Sequence, residues 1–312
     1  MNSFGVEKGT TIRQPSTANL MIDSVDAMSG ASSNPASLLY KAPQAFQNGF
    51  FTRLSATEVV LDFSIPNIIG AADGLGWQFA IDISGGGSSV ICRVPSGFYT
   101  VAQFLDAMAT QMQAQGAGTV SITQNGVLGK TAITSTTAFR FSAVQPQGNL
   151  NGFTAARIVP IGGAFALSKA VNAAPNLTVF SYIDFTSSQL TYAQDLKDNN
   201  TTQTPYDVLL RWYFATTDEQ ASLDKYGYPI RKGTMPFNER RIFSPPKQIK
   251  WDNNLPLGNF QIDLLCQLSN ALAINPFPLR DVLVEYQPLL AGMGLTLAGT
   301  LDYKITLQLS EN

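Results

Sequence analysis

Residues 57–66 read TEVVLDFSIP, and this stretch decides the fold. Val59, Leu61, Phe63 and Ile65 occupy every second position, and a proline ends the run. Successive side chains of a β-strand point to opposite faces, so a two-residue period places these four on one side. The stretch therefore predicts a strand with one buried face.

The same period recurs along most of the chain. Further strands are predicted around residues 77–83, 90–94, 120–122, 132–133, 177–185, 208–214, 260–268, 282–286 and 303–309. The first two read as a hairpin, because the glycines at 85–87 suit a tight turn. Many antiparallel strands with one buried face predict an all-β fold, and the length fits a single jelly-roll β-sandwich. The residues expected to be buried are Val59, Leu61, Phe63, Trp212, Phe214, Leu264, Ile305 and Leu307.

One short helix is expected, over about residues 100–113. Thr100 is a suitable N-cap, and apolar residues then recur at helical spacing. These residues are Val101, Phe104, Leu105, Met108 and Met112.

Residues 1–47 are predicted to form an extended N-terminal arm ahead of a jelly-roll domain at 48–312. The apolar clusters of this arm, at 20–22 and 38–40, are short and scattered. A segment of this kind cannot bury enough surface to fold alone, so it is either a disordered tail or docks on a neighbouring subunit. Residues 145–204 are loop-like and read as a possible insertion or as elaborated loops.

Charged residues make up only 13% of the 312 residues, against roughly 25% in a typical globular protein. Charged groups are depleted from interface cores, so this composition favours a surface covered by partners. A surface merely rich in Asn, Gln, Ser and Thr is the alternative.

The chain contains no histidine, which excludes Ser-His-Asp catalysis and imidazole metal ligands. The remaining acidic candidates, Glu58 with Asp62, Asp218-Glu219 and Asp224, lack surroundings that would separate their pKa values. The loop Ser84-Gly85-Gly86-Gly87-Ser88 lacks the Gly-Lys-Ser/Thr ending of a phosphate loop. We therefore predict no catalytic, cofactor-binding or metal-binding residues, and no enzymatic activity.

Basic residues cluster between residues 231 and 250, with Phe237, Phe243 and Trp251 among or beside them. The cluster consists of Arg231, Lys232, Arg240, Arg241, Lys247 and Lys250. A single-stranded nucleic acid could use such a patch, but the net charge of −2 argues against it. We expect an intersubunit or solvent-facing strand here, and no specific nucleic-acid binding. The arm is also too poor in Lys and Arg to hold a genome.

Two cysteines, Cys92 and Cys266, are too few for a disulfide scaffold. Each is in phase with apolar neighbours, which favours buried free thiols over a single buried disulfide. The N-terminus shows no basic stretch followed by an apolar one, so we expect synthesis in a reducing cytoplasm.

Three segments together resemble one viral family. They are Asn48-Gly49-Phe50-Phe51-Thr52-Arg53, Ser64-Ile65-Pro66-Asn67-Ile68 and Val94-Pro95-Ser96-Gly97-Phe98-Tyr99-Thr100. In order and spacing they are similar to the penton, or minor capsid, proteins of virophages, polinton-like viruses and their relatives. The resemblance covers roughly residues 48–113. It implies a virion protein whose homopentamers occupy the vertices of an icosahedral shell, beside a separate major capsid protein and other shell components.

Two other classes of function remain open from the residues alone. A carbohydrate- or receptor-binding jelly roll, of the lectin or spike type, would need exposed aromatic side chains on loops. Tyr226, Tyr228 and Trp251 are its candidates. A two-carboxylate hydrolase on a β-sandwich is the third reading.

Overall fold

A computed structural model describes most of the chain. The described residues are 16–28, 34–43, 46, 51–68, 77–125, 130–144, 160–171, 177–191, 207–214, 222–251, 257–268 and 277–311. The strands are β1 (Thr17–Asp23), β2 (Ser37–Lys41), β3 (Arg53–Phe63), β4 (Trp77–Ile83), β5 (Val90–Val94), β6 (Val120–Asn125), β7 (Lys130–Val144), β8 (Ala166–Ala170), β9 (Phe180–Thr186), β10 (Val208–Tyr213), β11 (Phe237–Ile242), β12 (Gln248–Lys250), β13 (Asn259–Leu268), β14 (Phe277–Pro278) and β15 (Leu301–Ser310). The helices are α1 (Val101–Ala114), α2 (Ser188–Thr191) and α3 (Leu279–Gly292).

Two of the sheets build a jelly roll. The first sheet has the order β1-β15-β3-β11, and β12 pairs with the half of β3 that β11 leaves free. The second sheet has the order β2-β13-β9-β10, and β14 also pairs with β13. β11 and β12 together count as one interrupted strand. When the eight strands of the jelly roll are renumbered 1 to 8 in chain order, the two sheets have the orders 1-8-3-6 and 2-7-4-5. The eight strands are β1, β2, β3, β9, β10, β11 with β12, β13 and β15. All these pairings are antiparallel. This is the topology of a jelly roll, and it confirms the predicted fold class.

The core of the jelly roll lies between its two sheets. Val59, Leu61 and Phe63 on β3 face inward, and so do the other residues predicted to be buried. Burying one such side chain fully contributes about 1.5–3 kcal/mol. Within this core the Tyr40 and Tyr303 hydroxyl oxygens lie 3.4 Å apart, and burial raises the pKa of Tyr303 well above its usual value.

The N-terminal segment contributes two of the eight jelly-roll strands, which differs from the expected arm. β1 pairs with β15, and β2 pairs with β13. The side chains of Ile22, Leu38 and Tyr40 are buried in the jelly-roll core. These apolar spots therefore dock on their own chain. Residues 1–15 lie outside the described part of the structure.

A separate unit is inserted between β3 and β9. Its sheet has the order β5-β4-β7-β6, with β8 beside β7. Helix α1 packs on this sheet and shares with it a second hydrophobic core, which includes Trp77, Phe104 and Phe139. The hairpin β4–β5 thus belongs to the inserted unit and not to the sandwich.

The position of this unit corrects the predicted insertion at 145–204. The inserted sheet spans Trp77 to Ala170, whereas the described part of 145–204 contains β8 of the insertion and β9 of the jelly roll. Residues 145–159, 172–176 and 192–204 lie outside the described residues.

Helix α1 begins where the sequence predicts. The Thr100 side chain accepts a hydrogen bond from the Gln103 amide at 3.3 Å, and the Gln103 side chain accepts one from the Thr100 amide at 2.9 Å. This reciprocal capping satisfies two amides at the start of the helix.

Helix α3 replaces the strand predicted at 282–286. Leu279, Val282, Leu283, Tyr286 and Leu290 are buried, and their spacing follows a helical face. Val284, which the strand pattern would bury, is exposed. The expectation of a single short helix was therefore wrong. No helix in the described part of the chain is long and apolar enough to cross a membrane.

Candidate assembly surfaces

The paired carboxylates on β3 form an ion-paired sheet surface. Arg240 on the neighbouring strand β11 grips Glu58 through two hydrogen bonds, of 2.6 and 2.8 Å. This guanidinium holds the pKa of Glu58 below its usual value. Asp62 accepts a hydrogen bond from the Asn238 side chain at 3.2 Å. Glu58 is thus held ionised, which is the opposite of what a general acid needs.

The other acidic candidate that the structure describes has a structural task. Asp224 accepts hydrogen bonds from the backbone amides of Ala102, Tyr226 and Tyr228, each at 2.9 Å. It thereby fastens its own loop to the start of α1. Asp218 and Glu219 lie outside the described residues. Among the described residues, no group of three or more His, Cys, Asp and Glu side chains could hold a metal ion.

The basic cluster lies along β11, β12 and the turns beside them. Glu239 contacts Lys232 at 2.6 Å and Arg241 at 3.1 Å, and Arg240 pairs with Glu58. Burial opposes ionisation of Glu239, but the two cations overcome it and lower the pKa of this carboxyl. The cluster is therefore an edge strand with partly neutralised charge.

The aromatic residues near this cluster are not available to stack on bases. Trp251 is buried, and Phe237 stacks on Phe63 and Trp212 at the rim of the jelly-roll core. The Arg241 guanidinium covers the Trp212 ring at 3.9 Å from its centre. Stacking platforms need exposed rings, so this arrangement does not resemble a single-strand binding groove.

The aromatic candidates for a glycan site are similarly engaged. Tyr228 and Trp251 are buried. The Tyr226 hydroxyl donates a hydrogen bond of 2.6 Å to Asp106 on α1. These side chains hold their loops against the inserted unit or the jelly roll, and they do not present flat rings to solvent.

Comparison with solved structures finds a similar chain in a virus. The chain is similar to the crystal structure of the selenomethionine-labelled mavirus penton protein, with a TM-score of 0.47 and 12% sequence identity. The match covers 96% of this chain and 100% of that one. No family model matches the sequence, and no curated protein matches it.

Several large apolar side chains are exposed on the jelly roll. Met21, Val25 and Met28 are exposed on and after β1, while Met235 and Ile242 are exposed before and on β11. Met21 is 69% exposed and Ile242 is 66% exposed. Neither residue stands out in the sequence, because each is an isolated apolar position whose exposure depends on the sheet order.

A Tyr-Arg cluster lies on the edge of the second sheet. Arg211 on β10 makes two hydrogen bonds to the fully buried Asp184, of 2.6 and 2.7 Å. The guanidinium also lies 3.9 Å from the Tyr182 ring and 5.8 Å from the exposed Tyr213 ring. Tyr and Arg are enriched where binding energy concentrates in protein interfaces, so this edge has suitable chemistry for a contact.

Proposed function

We propose that this chain is a structural protein of a virus particle, most specifically a pentameric capsomer at the vertices of an icosahedral shell. The observation that carries the proposal is the exposure of large apolar side chains on a jelly roll whose surface is poor in charge. Large exposed apolar surfaces mark sites of association. Jelly rolls occur in both capsid and lectin domains, so the support for the proposal comes from the surface and not from the fold.

The number of copies in the ring comes from the sequence resemblance. The segments at 48–53, 64–68 and 94–100 resemble penton proteins, and a five-fold ring follows from that resemblance. The partners are further copies of the chain, a separate major capsid protein and other shell components. The protein would be located in the virion, after synthesis in the host cytoplasm.

The proposal includes the absence of catalysis and of specific nucleic-acid binding. The ion-paired Glu58 and the structural role of Asp224 support the first statement. The ion pairs of the basic cluster, the burial of Trp251 and the packing of Phe237 against the core support the second. Metal analysis of the purified protein and a screen of glycan hydrolysis should both be negative. One reproducible positive result would contradict the structural assignment.

The mass of the purified protein in solution tests the ring directly. Five copies of the 33.6 kDa chain give about 168 kDa, which native mass spectrometry resolves from other assemblies. A chain that stays monomeric at high concentration, and also when the major shell protein is coexpressed, would instead favour the lectin-type reading.

A further inference from the structure

The two edges of the first jelly-roll sheet differ in charge. The first edge, which we call the β1 flank, comprises residues 16–28. It carries Asp23 and Asp26 and contains no Lys or Arg. In the described chain no strand pairs with the outer side of β1, so its outer backbone groups have no sheet partner. Such an edge is a template for contact with another chain.

The opposite edge, the β11 flank, comprises residues 231–250. It contains six basic residues and one acidic residue, Glu239. Within the described residues β11 and β12 pair with β3 alone. This flank therefore combines a second unpaired edge with a positive charge.

Both flanks also expose an apolar side chain at the same level of the sheet. Met21 is opposite Thr306, Thr306 is opposite Glu58, and Glu58 is opposite Ile242. Residues directly opposite one another point to the same face, so Met21 and Ile242 lie at the two ends of one row. Three strand spacings separate them, which is about 14 Å.

Ion pairs within the chain reduce the difference in charge between the flanks without removing it. Lys304 lies 2.7 Å from Asp23, and Glu58 binds Arg240. Asp26 on the β1 flank remains exposed, and so does Arg231 on the β11 flank. Lys247 is also exposed, although its ammonium donates a hydrogen bond to the Val208 carbonyl oxygen at 2.7 Å. The β1 flank is thus apolar and negative, while the β11 flank is apolar and positive.

We propose that the β1 flank of one copy packs against the β11 flank of the next copy, so that neighbouring subunits associate head to tail. This inference rests on the proposed capsomer function and names its contact surfaces. Packing either flank against itself would bring like charges together, which costs free energy and selects against symmetric dimers. A contact between two different surfaces generates a ring when the rotation closes.

The test removes the exposed apolar side chain of one flank at a time in the full-length chain. The substituted residue in each case is the exposed apolar one, and a neutral polar side chain leaves the existing charges of both flanks unchanged. Met21→Gln alters the β1 flank, and Ile242→Gln alters the β11 flank. Ile91→Gln is the matched control, because Ile91 is 54% exposed but lies on the inserted sheet. Each flank variant should lose the ring at a concentration at which the wild type and the control are fully assembled. A cooperative thermal unfolding transition in each variant would show that it is folded.

An equimolar mixture of the two flank variants gives the sharpest result. Each variant retains one intact flank, so the mixture should form a dimer of one copy of each and nothing larger. Dimers in one variant alone would indicate a symmetric contact and overturn the inference. If both flank variants form a ring of the same size as the wild type, the inference is overturned and the capsomer function stands. Failure of the wild type to assemble, alone or with shell protein, would overturn the proposed function itself.

Discussion

At the scale of single residues, two arginine–carboxylate pairs have the same geometry and different surroundings. Arg211 and Arg240 each make two hydrogen bonds to one carboxylate. Asp184 is fully buried, whereas Glu58 lies on an exposed sheet face beside an arginine that is 61% exposed. The free energy of unfolding should therefore depend on the first pair far more than on the second.

Arg211→Ala should lower the free energy of unfolding by about 2–3 kcal/mol, because it leaves a buried carboxylate without its partner. Arg240→Ala, as the matched control, should change it little. Urea denaturation monitored by tryptophan fluorescence measures both. Equal losses in the two variants would show that the burial of Asp184 does not decide the outcome.

Asp302 gives a prediction of pH dependence. Burial raises the pKa of this carboxyl, and Asp62 lies directly opposite on β3. Its ionised form is disfavoured in the folded state, so the wild type loses stability as the pH rises through the folded pKa. Asp302→Asn should raise the unfolding midpoint at pH 7, and this gain should shrink below pH 4, where the carboxyl is protonated. A gain that is independent of pH would refute this account.

At the scale of elements, sequence periodicity predicts strands well when both their length and their core face are regular. β3, β13 and β15 follow the two-residue period and lie where it predicts. Residues 282–286 also fit that period, but the longer set from Leu279 to Leu290 fits a helix. A short apolar run is compatible with both periods, so only its flanking residues could decide.

Other elements carry weaker signals in the sequence. In β1, Ala18, Leu20 and Ile22 occupy every second position. In a segment otherwise rich in polar residues, they indicate only scattered apolar positions and not a strand. In β11 the inward side includes Glu239 and Arg241, whose charges are satisfied by each other and by the face of Trp212. No local sequence pattern predicts charged residues on the inward side of a strand, because the Trp212 ring that covers Arg241 comes from a distant strand. The sequence does predict an intersubunit or solvent-facing strand at 231–250, but it could not predict that Met21 and Ile242 share one row of the sheet, for the same reason.

Truncation at the N-terminus distinguishes strands from an arm. Deleting residues 1–45 removes β1 and β2, which pair with β15 and β13 in the two sheets and contribute Ile22, Leu38 and Tyr40 to the core. This variant should fail to give a cooperative unfolding transition, whereas the full-length chain should give one. Circular dichroism during heating measures both. A folded 1–45 deletion would mean that the two strands are dispensable.

At the scale of the whole molecule, two hydrophobic cores are joined in one chain. Cys92 lies in the core of the inserted unit, and Cys266 lies in the core of the jelly roll. Both are free thiols, and burial raises the pKa of each to about 12. A thiol reagent reacts with the exposed thiolate, so each cysteine reports the opening of its own core.

Phe104→Ala should accelerate the labelling of Cys92 and leave that of Cys266 unchanged, because Phe104 is fully buried in the second core. Such a truncation typically costs about 3–5 kcal/mol in the core that loses the ring. Phe185→Ala, in the jelly-roll core, is the matched control and should have the reverse effect. Labelling followed by peptide mass spectrometry measures both rates. Equal acceleration of the two thiols in either variant would show that the cores unfold together.

The placement of the inserted unit between two strands of the jelly roll has a consequence for how such a protein evolves. Each core has its own set of buried side chains. A substitution in the inserted sheet that requires a compensating change therefore finds it within that sheet, and the strands of the jelly roll need not change. We expect lineages of this protein to diverge fastest between residues 77 and 171. Selection can then act on this inserted module while the jelly-roll strands are inherited intact.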